Sequence, residues 1–395
     1  MKKNIYIYYI IRFCSGLEFH KPILVLFFMK TLGFSDADAV LLGTLIPFFR
    51  IIFELPTGSI ADRKGRKLSF IIGIIIQMIG MGLYIFNTTF EGFVIAALLA
   101  GLGLGLQSGS IEALLSDSVG SSKKNFFAVG SGLFYLSRIG AMLTSGILFV
   151  INPVLPFVLY IISLVFKLVS LIFIDERNFE KSNEKTNSRQ IKNAFIEMKN
   201  KPDVFLFSIL LIIFIGSGNM FWHVYGIIFP QHGLSDQQVG YMYALGAFVS
   251  FIFTYFVVKT KKNEYNILFN MLLGTVIVVL FFTYGNFIGI LIGYIIISSI
   301  FSYQDPIMLN FIGKRISSKN KATVLSIVSM GGMLTYVLVG FYATFCLKFL
   351  TLEFYYLSIG MLVLIVFLVG KYYYNLISNS SDETILEPVL VKSEE

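Results

Sequence analysis

Apolar residues run through this chain in blocks of about twenty, each closed by a short polar turn. The blocks lie at about 5–29, 39–60, 68–88, 91–114, 126–149, 154–175, 203–229, 236–258, 265–284, 286–309, 322–346 and 351–374. A helix of roughly 20 apolar residues spans the hydrocarbon of a bilayer, so each block predicts one crossing. The expected fold class is an all-α membrane protein with twelve transmembrane helices. An even number of crossings puts both termini on one side.

The turns differ in charge, and the difference orients the chain. Alternate turns carry Lys2 and Lys3, Arg63 to Lys67, Lys123 and Lys124, the 176–202 segment, Lys259 to Lys262, and Lys314 to Lys321, while the others hold little beyond Lys30 and Lys348. Basic residues stay on the cytoplasmic side, so both termini are expected to be cytoplasmic. The net charge of +8 is accounted for by this asymmetry, which faces anionic headgroups of the lipid bilayer. It gives no reason to expect a nucleic-acid partner. With 56% hydrophobic and 14% charged residues, the composition excludes an ordinary soluble domain.

Cys14 and Cys346 lie inside predicted spans, far apart in sequence, and suggest neither a structural disulfide nor a metal site. The first block is too long and too polar for a cleaved signal peptide and is read as the first crossing. A repeat of half the chain length is also visible. Gly33-Phe-Ser35-Asp36 follows the first block and Gly233-Leu-Ser235-Asp236 follows the seventh, each a glycine stop followed by a helix-capping residue. Ser121-Ser-Lys-Lys-Asn125 and Ser317-Ser-Lys-Asn-Lys321 match at nearly the same offset. The repeat predicts two pseudo-symmetric six-helix bundles, at 1–175 and 203–374, joined by a cytoplasmic linker at 176–202 and followed by a cytoplasmic tail at 375–395.

Between the second and third blocks stands Gly58-Ser-Ile-Ala-Asp62-Arg63-Lys64-Gly65-Arg66-Lys67. With twelve predicted spans and the half-length repeat, this turn resembles the signature Gly-x-x-x-Asp-Arg-x-Gly-Arg-Lys of the major facilitator superfamily. The resemblance covers the whole chain. Glu54-Leu-Pro56-Thr57 and Lys321-Ala-Thr-Val-Leu-Ser326 further resemble a bacterial drug-resistance or efflux branch. The resemblance implies a cytoplasmic gate made by Gly58, Asp62, Arg63, Gly65, Arg66, Lys67 and Asp117. Asp62 would face the N-terminal end of the eleventh helix and Arg66 would pair with Asp117. Glycine at 58 suits close helix approach, and glycine at 65 suits the turn.

Ionisable groups within the hydrocarbon are costly and need a partner, a wet cavity or a task. The first half holds Arg12, Glu18, Lys21, Arg50, Glu54, Glu112, Arg138 and Lys167, and the second half little beyond His223, Asp305 and Glu353. Glu18, Glu112 and Asp305 are candidate proton-coupling carboxylates, with Arg138, Arg50 and Glu54 as companions. Local pairing of Arg50 with Glu54, and of Lys21 with Glu18, is the alternative use of these charges. Asp305 precedes Pro306, which frees a backbone carbonyl where helices are often interrupted at binding sites.

The second half supplies candidate substrate-cavity residues: Asn219, Trp222, His223 and Tyr225 in the seventh span, Tyr303 and Gln304 in the tenth. Aromatic faces with a few polar groups suit amphipathic or cationic compounds. An interfacial aromatic belt is the other reading of Trp222 and Tyr225. The chain departs from the antiporter pattern in two places. Leu104 stands where an arginine is expected three residues before Gln107, and Arg138-Ile-Gly140 replaces the Gly-Pro pair of the fifth helix.

The expected function is secondary active transport by alternating access, with proton-coupled export of small amphipathic or cationic compounds. Proton-coupled uptake of a nutrient or metabolite is the alternative. No catalytic cluster points to an enzyme. No cofactor is expected, the proton gradient supplying the energy, and a monomer in a bacterial plasma membrane is the expected state.

Overall fold

A computed structural model describes residues 2–108, 123–174, 184–257 and 263–390. Among them there is helix and turn but no strand, and nine helices are long and apolar enough to cross a membrane. In chain order the helices of at least seven residues are α1 (Lys2–Gly16), α2 (Asp36–Lys64), α3 (Arg66–Phe86), α4 (Phe90–Gln107), α5 (Lys123–Ile151), α6 (Leu155–Ile172), α7 (Glu184–Lys199) and α8 (Pro202–Gly218). They continue as α9 (Tyr225–Gln231), α10 (Asp236–Val257), α11 (Glu264–Tyr284), α12 (Phe287–Phe301), α13 (Gln304–Arg315), α14 (Lys321–Phe349) and α15 (Leu352–Leu390).

These helices carry apolar residues on their outer faces as well as in the interior, and bury some polar ones. On α3, Ile72, Ile75 and Ile79 face outward while Gln77 is buried with Ile74 and Tyr84. On α6, Val165, Phe166 and Val169 are exposed and Lys167 is buried. Lipid accepts the aliphatic surface at no cost, whereas polar groups must find partners inside.

Three predicted spans are broken rather than continuous. After α1 the chain unwinds at Leu17–His20, re-forms as a 3-10 turn at Lys21–Ile23 and a helical turn at Leu24–Leu26, and ends in a π-turn at Phe27–Thr31. Pro22 has no N–H to give the carbonyl four residues back, which belongs to Glu18; that carbonyl accepts from Lys21 N instead, at 3.2 Å. Pro306 acts likewise on Ser302, and the tenth span parts between α12 and α13. The seventh span breaks at Asn219–Val224, just beyond the weak helix formers Gly216, Ser217 and Gly218.

The half-length repeat has a matching geometry. Gly33 and Gly233 both take left-handed backbone, φ 72° and 83°, a conformation that only glycine adopts freely. Ser35 and Ser235 then cap the next helices, their side chains accepting from Asp38 N at 3.2 Å and Gln238 N at 3.3 Å. Gly65 turns the chain at φ 106° between α2 and α3.

The chain divides into two compact units. The first comprises Met1–Glu184, Asn219–Ile252 and Val337–Leu352. In it α4 packs along α2 and α3, and α1 packs on α5 and α6. The second comprises Lys185–Gly218, Phe253–Tyr336 and Glu353–Glu395. Its centre is a stack of Phe207 on Phe311, 3.9 Å between centroids, with Tyr265 edge-on to both. The linker, read from sequence as a polar basic stretch, contains the helix α7, and α15 runs past the expected end of the last span to Leu390.

Candidate functional site

The break after α1 places charge in the interior of the first unit. Glu18 Oε1 lies 2.7 Å from Lys21 Nζ, and Glu18 Oε2 lies 3.9 Å from Arg138 Nε on α5. On α2, Arg50 Nε lies 3.7 Å from Glu54 Oε2, while Glu54 Oε1 accepts from Ser108 Oγ beyond the end of α4. The two local pairs read from the sequence are therefore present. The side chains of these five charged residues are between 14 and 39% exposed. Charges within predicted spans are costly in hydrocarbon, and here they face one another.

Aromatic rings close over the cluster. The Arg138 guanidinium carbon lies 5.7 Å from the Phe134 centroid and 5.8 Å from that of Trp222, and Arg12 sits 4.9 Å from Phe134. Trp222 is edge-on to Tyr243 at 4.9 Å, while Tyr225 is buried and stacked on Phe229 at 5.0 Å. His223 is buried with Nδ1 at 3.3 Å from Thr44 Oγ1. Since the Thr44 hydroxyl donates to the Val40 carbonyl at 2.8 Å, the ring nitrogen is the donor in that contact. Asn219 is half-buried at the start of the same break. Trp222, His223 and Arg138 thus belong to one unit with Glu18.

Tyr303, Gln304 and Asp305 lie at the break between α12 and α13 in the second unit. The Gln304 amide reaches Asp305 Oδ1 at 3.4 Å. Glu112 and Asp117 lie outside the described residues, as do the side chains of Asp62 and Arg63. Arg66 is half-buried at the start of α3, and Lys67 donates to the carbonyls of Ile172 and Ile174 at 2.8 and 2.7 Å. Lys67 thus neutralises the C-terminal end of α6.

Two contact groups join partners that the sequence did not pair. The first is a polar ladder: Lys167 Nζ donates to Gln107 Oε1, Gln107 Nε2 to Gln77 Oε1, and Gln77 Nε2 to Tyr160 Oη, each at 2.8 Å. It ties α3, α4 and α6 together, and Tyr160 lies against His20 at 4.2 Å between centroids. The second is an ion pair and a close helix contact within the first unit. Lys30 pairs with Asp236, and α5 meets α10 at Gly146 and Gly240. A Cβ on Gly240 would stand 2.9 Å from Gly146 N, so the helices approach at backbone contact.

The comparisons with known proteins agree on the family. The sequence pattern of the Major Facilitator Superfamily matches residues 8–288. The chain is 24% identical over 332 residues to the uncharacterized MFS-type transporter YxaM of Bacillus subtilis, covering 81% of this chain and 82% of that one. It is 21% identical over 264 residues to the uncharacterized MFS-type transporter MJ1560 of Methanocaldococcus jannaschii, covering 62% and 65%. In structure it resembles the nucleoside transporter NupG, with a TM-score of 0.75 over 94% of this chain and 98% of that one at 14% identity. A D-xylose-proton symporter gives 0.73 over 93% and 97%, also at 14% identity, so the likeness is one of fold. The chain belongs to the Major Facilitator Superfamily, and it is a membrane transporter rather than an enzyme.

Proposed function

We propose that this chain is a proton-coupled secondary transporter of small organic molecules, with Glu18 as the group that carries the proton. The observation behind this reading is the position of Glu18, at a helix break within a predicted span, facing Lys21 on its own segment and Arg138 on α5. Protonation of the carboxylate removes the attraction that holds the two cations on it. A change of one proton therefore loosens α1 from α5. That is the kind of local event that biases a two-state carrier.

In this reading the twelve predicted spans form two six-helix halves with both termini in the cytoplasm of a bacterial cell. Asp62, Arg66 and Asp117 gate the cytoplasmic side, and Lys30 with Asp236 gates the other. Glu112 and Asp305 are secondary proton candidates. Of the two readings considered from sequence, export of small amphipathic or cationic compounds would, for a cationic solute, call for acids in excess at the site. Among the described residues, Lys21, Arg50 and Arg138 outnumber Glu18 and Glu54 there. That balance favours co-transport of a proton with its solute.

The test uses proteoliposomes holding the full chain and a trapped pH dye, with a panel of organic anions, neutral compounds and cations. Proton movement triggered by one class in the wild type, and absent in Glu18→Gln, is the expected result. Proton movement that persists undiminished in Glu18→Gln would place the coupling group elsewhere.

A further inference from the structure

We propose that the transported solute is an organic monocarboxylate, that Arg138 binds its carboxylate against the ring of Trp222, and that it travels in the same direction as the proton. The proposal rests on the reading of Glu18 given above and adds the charge of the solute and the sign of the coupling.

The argument starts from which donors are already used. Glu18 accepts from Lys21 at 2.7 Å, and Arg138 stands off at 3.9 Å with its buried Nε lacking a hydrogen-bond partner. Arg50 shows the same arrangement: Glu54 is taken by Ser108, and the Arg50 Nε, 3.7 Å away, is buried without a hydrogen bond. Two guanidinium groups thus face carboxylate oxygens, Glu18 Oε2 and Glu54 Oε2, across gaps too long for a hydrogen bond, and Glu18 Oε2 is itself buried without one. A guanidinium offers a planar fork that fits a carboxylate in two parallel hydrogen bonds. Around Arg138 the fork is flanked by the rings of Phe134 and Trp222, which would receive the apolar body of the solute.

The sign of coupling follows from charge. The charged and titratable groups around Glu18 among the described residues include His20 and Lys21 on its own segment, Arg138 on α5, Tyr160 on α6, and Arg50 with Glu54 on α2. A proton on Glu18 withdraws the anion that faces Arg138 and leaves the cations in larger excess. An anionic solute then binds more tightly, and by reciprocity the bound anion favours the proton. Proton and solute load together and leave together. A cationic solute would meet the opposite balance and exchange against the proton.

Trp222 is the only tryptophan of the chain, so its emission reports on this site directly. The experiment titrates the reconstituted protein with benzoate, phenylacetate, hexanoate and octanoate, and with the matching amides and amines, following Trp222 fluorescence at pH 6 to 8. At least one carboxylate is expected to shift the emission saturably, with affinity rising by up to about tenfold per pH unit lowered, the limit for one linked proton. Its amide and amine should be silent. Arg138→Lys is expected to weaken binding at least about tenfold, keeping the charge but losing the fork, and Arg138→Gln to abolish it. Glu18→Gln should bind with a flat pH profile.

Response to the amines alone, or to no carboxylate in the panel, overturns the proposal. If an amine also drives proton movement that Glu18→Gln abolishes, the proton site stands and only the anion assignment falls. If carboxylate binding needs Arg138 but keeps its pH dependence in Glu18→Gln, the proton site falls and the anion site stands.

Discussion

Lys30 and Asp236 form an ion pair although 206 residues separate them in sequence. Lys30 stands three residues before one copy of the repeated turn, and Asp236 is the last residue of the other. The pair therefore joins the segments that carry the two copies. Both side chains are partly exposed, which keeps the contribution to the order of 0 to 1 kcal/mol, a size that suits the gate proposed above. Asp236→Asn is expected to shift the closed-to-open ratio at this gate by about two- to fivefold toward open. Electron spin resonance distances between labels at Thr31 and Gln231 would measure it. An unchanged distribution would assign the closure to the Gly146–Gly240 contact alone.

The ladder from Lys167 to Tyr160 predicts an asymmetric loss of stability. Lys167→Met removes one donor from Gln107 and is expected to cost about 1 kcal/mol, the usual scale for a hydrogen bond between membrane helices. Gln107→Leu takes an acceptor from a buried ammonium and should cost more, about 2 to 3 kcal/mol. The double variant should recover part of that loss. Thermal unfolding in detergent gives the order directly, and equal losses in the two single variants would mean that the ammonium is satisfied elsewhere.

Docking of α7 should survive mild acid. The Glu197 carboxylate accepts from Ser317 N at 2.8 Å, Ser317 Oγ at 2.7 Å and Asn320 Nδ2 at 2.6 Å. The Ser317 N–H and then the Asn320 amide draw its pKa down to about 2, with further help from the Ser317 hydroxyl and Lys201. A depressed carboxylate contributes stability that is complete above its unfolded value near 4.5 and is lost as pH falls through the folded value. The contact should then hold at pH 5 and fail only toward pH 2. Hydrogen exchange in α7 is expected to match at pH 7 and 5 after correction for intrinsic rates. It should rise roughly tenfold in Glu197→Gln, because hydrogen bonds to a partly exposed carboxylate contribute on the order of 1 to 2 kcal/mol. Release of α7 between pH 7 and 5 in the wild type would contradict this account.

Local rules made much of the chain legible. Long apolar blocks place the helices, since a bilayer demands length and hydrophobicity and little else. Gly33 and Gly233, followed by their serines, mark helix starts whose dihedrals and caps come out alike. The i, i+4 spacing of Arg50 and Glu54 and the i, i+3 spacing of Glu18 and Lys21 were enough to pair them. Pro22, four residues after Glu18, was a readable signal for the first break, just as Pro306 was for the tenth span. In α7, Ile191, Ala194, Phe195 and Met198 fall at helical spacing, and Ala194 and Met198 are the ones buried.

The sequence by itself determined which segments are helices, where prolines and glycines interrupt them, and how charge is shared between near neighbours, because those outcomes depend on the chain within a turn or two. Only the tertiary structure decided that Arg138 stands by Glu18, that Lys167 donates to Gln107, and that Lys30 meets Asp236. Lipid-facing helices carry no polar pattern that names their neighbours, and partners across helices are selected by packing and by the need to satisfy buried polar groups at one depth.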